Sequence, residues 1–254
     1  PENGYFVGAY LSEGSIRYKG TANVKKPYAV VITQNSGPIK DKILENLCQY
    51  RPESPATIRK KDIVINSLAL GSDFERLFGR YSYEKHLPET FLQESNSWLG
   101  DVLSGIIDGD GTIKRYKNAP DQVSIDTTSF YLAQQISVIC SVLGIRSNLV
   151  QTTKKKIAKH QGFRVTLTLL EEDTKYLKKS VKIAKIKKWS TKRIDKTTYI
   201  GKAKVTPTFY TEEYVYDATT ESGTLYASGI FQHNTGGVAA SRGGGSVDKF
   251  DRLD

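Results

Sequence analysis

The chain has 254 residues, 38% of them hydrophobic, and a formal net charge of +10. That length and apolar content can fill two ordinary packed cores, while no run approaches the ~18 apolar residues of a membrane-spanning helix. Seventeen Lys or Arg stand against four acids between Gln151 and Lys204, leaving the remainder net acidic, so the positive field is concentrated and points to a nucleic-acid partner ahead of acidic lipid.

The segment Phe6-Val-Gly-Ala-Tyr-Leu-Ser-Glu-Gly14 reads as an apolar helix with small residues inside, ending in a carboxylate followed by glycine. Tyr28–Gln34 is a β-branched run bounded by Pro27 and a Gly-Pro turn, which predicts a strand. Lys40–Gln49 places Ile43, Leu44, Leu47 and Cys48 at helical spacing, Asp62–Leu70 alternates as a strand, and Asp73–Phe78 reads as a short helix. A polar linker, Gln93–Ser97, leads into Leu103-Ser-Gly-Ile-Ile-Asp-Gly-Asp-Gly111, a second copy of the opening pattern. The order then repeats. Val123–Asp126 is a strand, Tyr131–Leu143 a helix closed by Gly144, Phe163–Leu169 a strand and Thr174–Ile186 a basic helix. With a strand ahead of Tyr28–Gln34 and one near Leu149, each half reads α-β-β-α-β-β-α, an α+β fold of two pseudo-symmetric units over residues 1–94 and 95–204.

In each copy two small residues fall at i and i+4, Gly8 with Ser12 and Gly105 with Gly109, so both lie on one helix face. Two such faces can cross with their backbones nearly touching. The crossing would bring Glu13 and Asp110 together at two helix carboxyl ends, where the dipoles favour a cation over an anion. Oxygen ligands there suit a hard ion such as Mg²⁺, and that ion suits phosphodiester chemistry.

Leu103–Gly111, continued by Thr112-Ile113, closely resembles the motif of the LAGLIDADG homing endonucleases; Phe6–Gly14 is a looser match with Glu13 in place of Asp. The resemblance implies a monomeric nuclease whose two halves join along the carboxylate helices and present a β-saddle to double-stranded DNA. It assigns Glu13 and Asp110 as Mg²⁺ ligands, Gly14 and Gly111 as neighbours offering carbonyls, and Gln34 as a strand residue beside the active-site water, with Thr127 as its counterpart. It further implies a lysine near each metal centre, for which Lys60, Lys61 and Lys85 are the candidates. Lys60, Lys61, Lys154, Lys155, Lys156 and Arg164 are the expected DNA contacts, and Asp108 is expected to hydrogen-bond locally rather than bind metal. Glu13 in place of Asp leaves a nicking preference open.

Cys48 and Cys140 sit in apolar helical patterns without a metal-ligand spacing, so both read as core thiols, and His86, His160 and His233 are too scattered for a histidine-based nuclease. Pro1–Tyr5 has neither the charged nor the apolar block of a signal peptide, which makes the cytoplasm the expected compartment. Methionine is absent even at position 1, as expected for an excised or internal piece of a longer product.

From Tyr214 the character changes. Tyr214–Thr219, Leu225–Ile230 and Phe231-Gln-His-Asn-Thr235 resemble the carboxyl-terminal splicing blocks of inteins. That resemblance implies a small β segment over 205–234, in which Asn234 cyclises onto its own carbonyl, His233 assists by proton transfer, and the Thr235 hydroxyl accepts the upstream segment. Gly223 or Thr224 stands where such blocks carry a second His, and the amino-terminal blocks are missing, so splicing would need an amino-terminal intein half as partner. Residues 235–254 would be host protein, and Thr235-Gly-Gly-Val-Ala239 resembles a stretch of the RNA polymerase β′ subunit. The leading reading is therefore an intein-encoded, sequence-specific, double-strand DNA endonuclease with latent autoprocessing. Its rivals are a cleavage-deficient DNA-binding or RNA-maturase descendant, and a split or truncated intein whose main role is splicing.

Overall fold

A computed structural model of the chain describes residues 3–21, 24–50, 56–153, 159–186, 224–227 and 230–233. Residues 1–191 form one compact unit and 192–254 another. The first begins with α1 (Gly4–Glu13), β1 (Gly14–Thr21), β2 (Val24–Thr33), α2 (Pro38–Tyr50), β3 (Ala56–Ile58), β4 (Asp62–Asn66) and α3 (Leu68–Phe78). It continues with α4 (Asn96–Asp110), β5 (Gly111–Lys114), β6 (Gln122–Thr127), α5 (Phe130–Val142), β7 (Arg146–Gln151) and β8 (Phe163–Thr168). Two antiparallel four-stranded sheets result, ordered β1-β2-β4-β3 and β5-β6-β8-β7. The same order in both is the predicted repeat, realised strand for strand.

One apolar core joins the two halves. Tyr5, Phe6 and Tyr10 of α1, Leu99, Leu103 and Ile107 of α4, and Val30, Ile63, Ile125 and Val165 of the sheets are all essentially inaccessible and belong to one cluster. Phe74 anchors the first half by edge-on ring contacts with Phe6 at 5.7 Å and Tyr10 at 4.8 Å. Cys140 is buried in that core as expected, and burial pushes its thiol up to about 12.

Two expected elements come out differently. The strand starting at Asp62 ends at Asn66, because the Ser67 hydroxyl accepts from the Leu70 amide at 3.2 Å and starts α3 there. Apolar Leu68 and Leu70 thus open a helix instead of extending the strand. The lysine-rich stretch Thr174–Ile186 is no continuous helix: a 3₁₀ turn, Glu171–Tyr176, runs into its start and a second, Ile183–Lys185, lies near its end. Between them the amides of Val181 and Lys182 donate to the Asp108 carboxylate instead of to carbonyls one helical turn back, while Leu177 and Ile183 still reach the core. In the second unit β9 (Thr224–Ala227) and β10 (Ile230–His233) form an antiparallel ribbon.

Candidate active site

The site starts from the absence of side chains. A Cβ at Gly8 would come within 2.1 Å of the Val102 carbonyl oxygen, and one at Gly105 within 2.2 Å of the Tyr5 carbonyl oxygen, so α1 and α4 touch backbone to backbone. One turn further on, a Cβ at Gly109 would meet the Ser12 hydroxyl at 2.1 Å and Glu13 Cγ at 3.1 Å. The predicted small-residue faces are therefore the contact, and they set Glu13 against the last turn of α4.

Electrostatics record the result. Dehydration pushes the Glu13 carboxyl above its ordinary value, with Lys182 pulling it back. Asp110 remains accessible to solvent, but it stands in a concavity crowded with protein atoms. That partial dehydration, followed by the Glu13 charge, raises it to about 6; Asp126 adds to the shift, and Lys182 and Lys85 oppose it. Two carboxylates of raised basicity at two helix carboxyl ends form a centre that a cation would relieve.

Each carboxylate has a lysine at the same sequence distance: Lys85 follows Glu13 as Lys182 follows Asp110. Lys182 Nζ donates to the carbonyls of Gly109 at 3.0 Å and Gly111 at 2.7 Å, on either side of Asp110. Lys85 is 2% exposed, donates to the Tyr10 carbonyl at 3.0 Å and lies 3.2 Å from the Tyr10 ring centroid; burial holds its amine well below the usual lysine range. The Lys85 carbonyl accepts from the Ser129 hydroxyl at 2.6 Å, so the cap of α5 helps fix the turn that carries this lysine. Of the three candidate lysines only Lys85 reaches the centre. Lys60 and Lys61 lie exposed on the β3–β4 turn, where the Lys61 carbonyl accepts from the Gln34 amide at 2.9 Å. Lys182 is one lysine among many in its stretch, and the spacing it shares with Lys85 is the signal in the sequence that singles it out.

Gln34 directly follows β2 and is half-buried. Gly14 pairs with Ile32 as Gly111 pairs with Ile125, which makes Thr127 the positional equivalent of Gln34, as the repeat alignment expected. Asp110, Asp126, Thr127 and Arg164 line a concavity of ≈ 610 Å³ together with Ser12 and Ser82. Arg164 forks onto Asp126 at 2.7 and 2.9 Å, so part of its donor capacity is already used. Asp108 accepts from Tyr5 and from residues 180–182, which corrects the expectation of purely local bonding. Lys154, Lys155, Lys156, Asn234 and Thr235, and the side chains of Cys48 and His233, lie outside the described residues.

The outer faces of the two sheets differ. In the second, Val123, Ile125, Val165 and Leu167 point into the core, which leaves Thr112, Ser124, Thr166 and Asn148 as one cross-strand row and Lys114, Gln122, Thr168 and Arg146 as the next. In the first, Ala29, Val31 and Val64 form a small apolar cluster on the face opposite the core, with the Arg17–Asp62 ion pair, 3.1 Å long, on the same sheet. An aromatic chain bridges the rims: Arg80 lies 3.9 Å from the Tyr18 ring and 4.6 Å from Tyr81, Tyr81 stacks on Tyr83, and Tyr83 stacks on His160 at 4.1 Å.

Among the described residues no group of three or more His, Cys, Asp or Glu could hold a metal. The donor set is two carboxylates with neighbouring carbonyls, and the Gly111 carbonyl already accepts from Lys182. This fits a hard ion that keeps most of its water and shares few protein oxygens.

Comparison with known proteins agrees with this geometry. Residues 97–183 match the LAGLIDADG-like domain family. The chain is similar to a structure of mesophilic variants of the homing endonuclease I-DmoI, at 17% identity and a TM-score of 0.51, covering 70% of this chain and 94% of that one. It is similar also to I-DmoI in complex with DNA and Mn, at 17% identity and a TM-score of 0.50, covering 69% and 93%. No curated protein matches the sequence. The described chain thus has the fold of a LAGLIDADG homing endonuclease, with a LAGLIDADG-like domain over residues 97–183.

Proposed function

We propose that this chain is a divalent-metal-dependent DNA endonuclease that cuts both strands of a specific duplex. The observation that carries the reading is the pairing of Glu13 with Asp110 at the helix crossing, each carboxylate with a lysine at one shared spacing. Glu13 and Asp110 would hold Mg²⁺, which supplies polarisation of the scissile phosphate and a more acidic bound water. Lys182 places positive charge where a phosphorane-like oxyanion would develop, and Lys85, with its lowered basicity, can accept or relay a proton. Gln34 and Thr127 orient water from equivalent strand ends. The accessible polar side chains of the second sheet's outer rows, Thr112, Lys114, Arg146 and Asn148 with the half-buried Gln122, Thr166 and Thr168, reach base edges in the major groove, while lysines along the rims, Lys60 and Lys61 among them, contact phosphates. We further propose, from the spacing of Val215-Tyr-Asp217 and His233-Asn-Thr235, an intein origin, with Asn234 cyclisation and Thr235 as acceptor once an amino-terminal half is supplied.

The test is to select bound duplexes from a randomised pool and to incubate the selected duplex with the protein and Mg²⁺. Cutting of both strands at one position is the expected result. Specific binding without cutting in Mg²⁺ or Mn²⁺ would assign the chain to the DNA-binding descendants of the fold.

A further inference from the structure

We propose that Asp108 is a positioning residue for cleavage at the Asp110 centre, acting by holding Lys182 in place; this rests on the nuclease reading above. Asp108 lies in the last turn of α4 and is 2% exposed. Its Oδ2 accepts from the Tyr5 hydroxyl at 2.8 Å and the Val181 amide at 2.8 Å, and its Oδ1 from the Ser180 hydroxyl at 2.6 Å and the Lys182 amide at 3.0 Å. Each oxygen thus has two donors, which fills the accepting capacity of a carboxylate and leaves none for a metal ion.

These bonds converge on a single turn. The Ser180 hydroxyl that donates to Asp108 also accepts from the Ile183 amide at 3.1 Å, so residues 180–183 are fixed by one buried charge. From that turn the Lys182 side chain reaches the Gly109 and Gly111 carbonyls. The Lys179–Asp101 ion pair, 2.8 Å long, and the packing of Tyr176 on Gly100 hold the preceding residues to α4, whereas the backbone at Val181 and Lys182 is held by Asp108. The device is one-sided. The equivalent position in the first repeat is Leu11, and Lys85 is held there by the Tyr10 carbonyl and ring. Loss of Asp108 should therefore impair one strand's cleavage and spare the other's.

Asp108→Asn tests this, because an amide presents one accepting oxygen where four donors meet. In the full chain, without DNA or metal, acetylation of each lysine is followed by mass spectrometry alongside thermal melting. Lys182 should react about tenfold faster in the variant, in line with the loss of charge-assisted hydrogen bonds, while Lys85 is unchanged. An unchanged Lys182 rate in a folded variant overturns the proposal. If Asp108→Asn does not fold, Ser180→Ala removes one of the four donors and should accelerate Lys182 by a smaller factor; no acceleration overturns the proposal equally. On supercoiled plasmid carrying the selected target, Asp108→Asn should accumulate nicked circles cut always in the same strand, whereas equal slowing of both strands would mark Asp108 as merely structural. Should the wild type fail to cut, the nuclease reading falls, and the acetylation comparison still decides whether Asp108 places Lys182.

Discussion

Asp110 combines accessibility with a raised carboxyl, and the sign of its pH linkage follows. Its ordinary value is 3.8 and its folded value about 6, so the folded state binds the proton more tightly. Stability therefore falls as pH rises from about 4 to about 6 and stays reduced above that range. Asp110→Asn removes the penalty. Without divalent metal the variant should melt higher than the wild type at pH 7.5 by about 1 kcal/mol, less than the full linkage of the shift because solvent reaches the group. The difference should vanish below about pH 4, and Mg²⁺ should narrow it at pH 7.5 by stabilising only the wild type. Melting curves of both proteins across that range decide the matter. A variant that melts lower at every pH would show the carboxylate to be a structural anchor.

At the scale of the element, the crossing of α1 and α4 is where sequence pattern becomes chemistry. Gly8, Ser12, Gly105 and Gly109 permit a contact no larger side chain allows, and the carboxylates meet only because the backbones do. Gly105→Val would drive a branched side chain into the Tyr5 carbonyl and should cost about 3 kcal/mol or more, read as a lowered melting temperature with loss of DNA cutting. The nearby position Gly100 faces the Tyr176 carbonyl at 2.3 Å for an added Cβ, so the same helix also packs closely on the 3₁₀ turn that precedes Lys182. This crossing was legible because it is local: small residues at i and i+4 followed by an acid and a glycine need no tertiary information. The central strands were legible for a similar reason, as β-branched runs between turns, although not all of their ends were. The Ser67 cap was written in the sequence too, but the apolar residues after it continue the strand's alternation and masked it.

At the scale of the whole molecule, the two halves share topology and differ in the chemistry of their outer faces. Those differences, and the Lys182 turn, could not be read ahead of the structure, because they depend on contacts between residues far apart in sequence. Asp108 and Ser180 are the clearest case: neither pattern nor composition links them, yet a buried carboxylate recruits the turn. The aromatic chain from Tyr18 through Arg80, Tyr81 and Tyr83 to His160 likewise joins one rim to the other across distant segments. The concentrated positive charge makes a further prediction for the complete protein. Binding to the selected duplex should weaken about a thousandfold between 50 and 200 mM salt if about six phosphates are neutralised, as titrations at several salt concentrations would record. A salt-independent affinity would remove phosphate contacts from the account.

The most direct measurement follows supercoiled plasmid carrying the selected target in time with wild-type protein, Glu13→Gln and Asp110→Asn, in Mg²⁺ and in chelator. Linear product is expected from the wild type in Mg²⁺ alone, and loss of linear product with retained binding in both variants. Linear product from either variant at the wild-type rate, or from the wild type in chelator, would contradict the assignment of Glu13 and Asp110 as the paired metal-holding carboxylates.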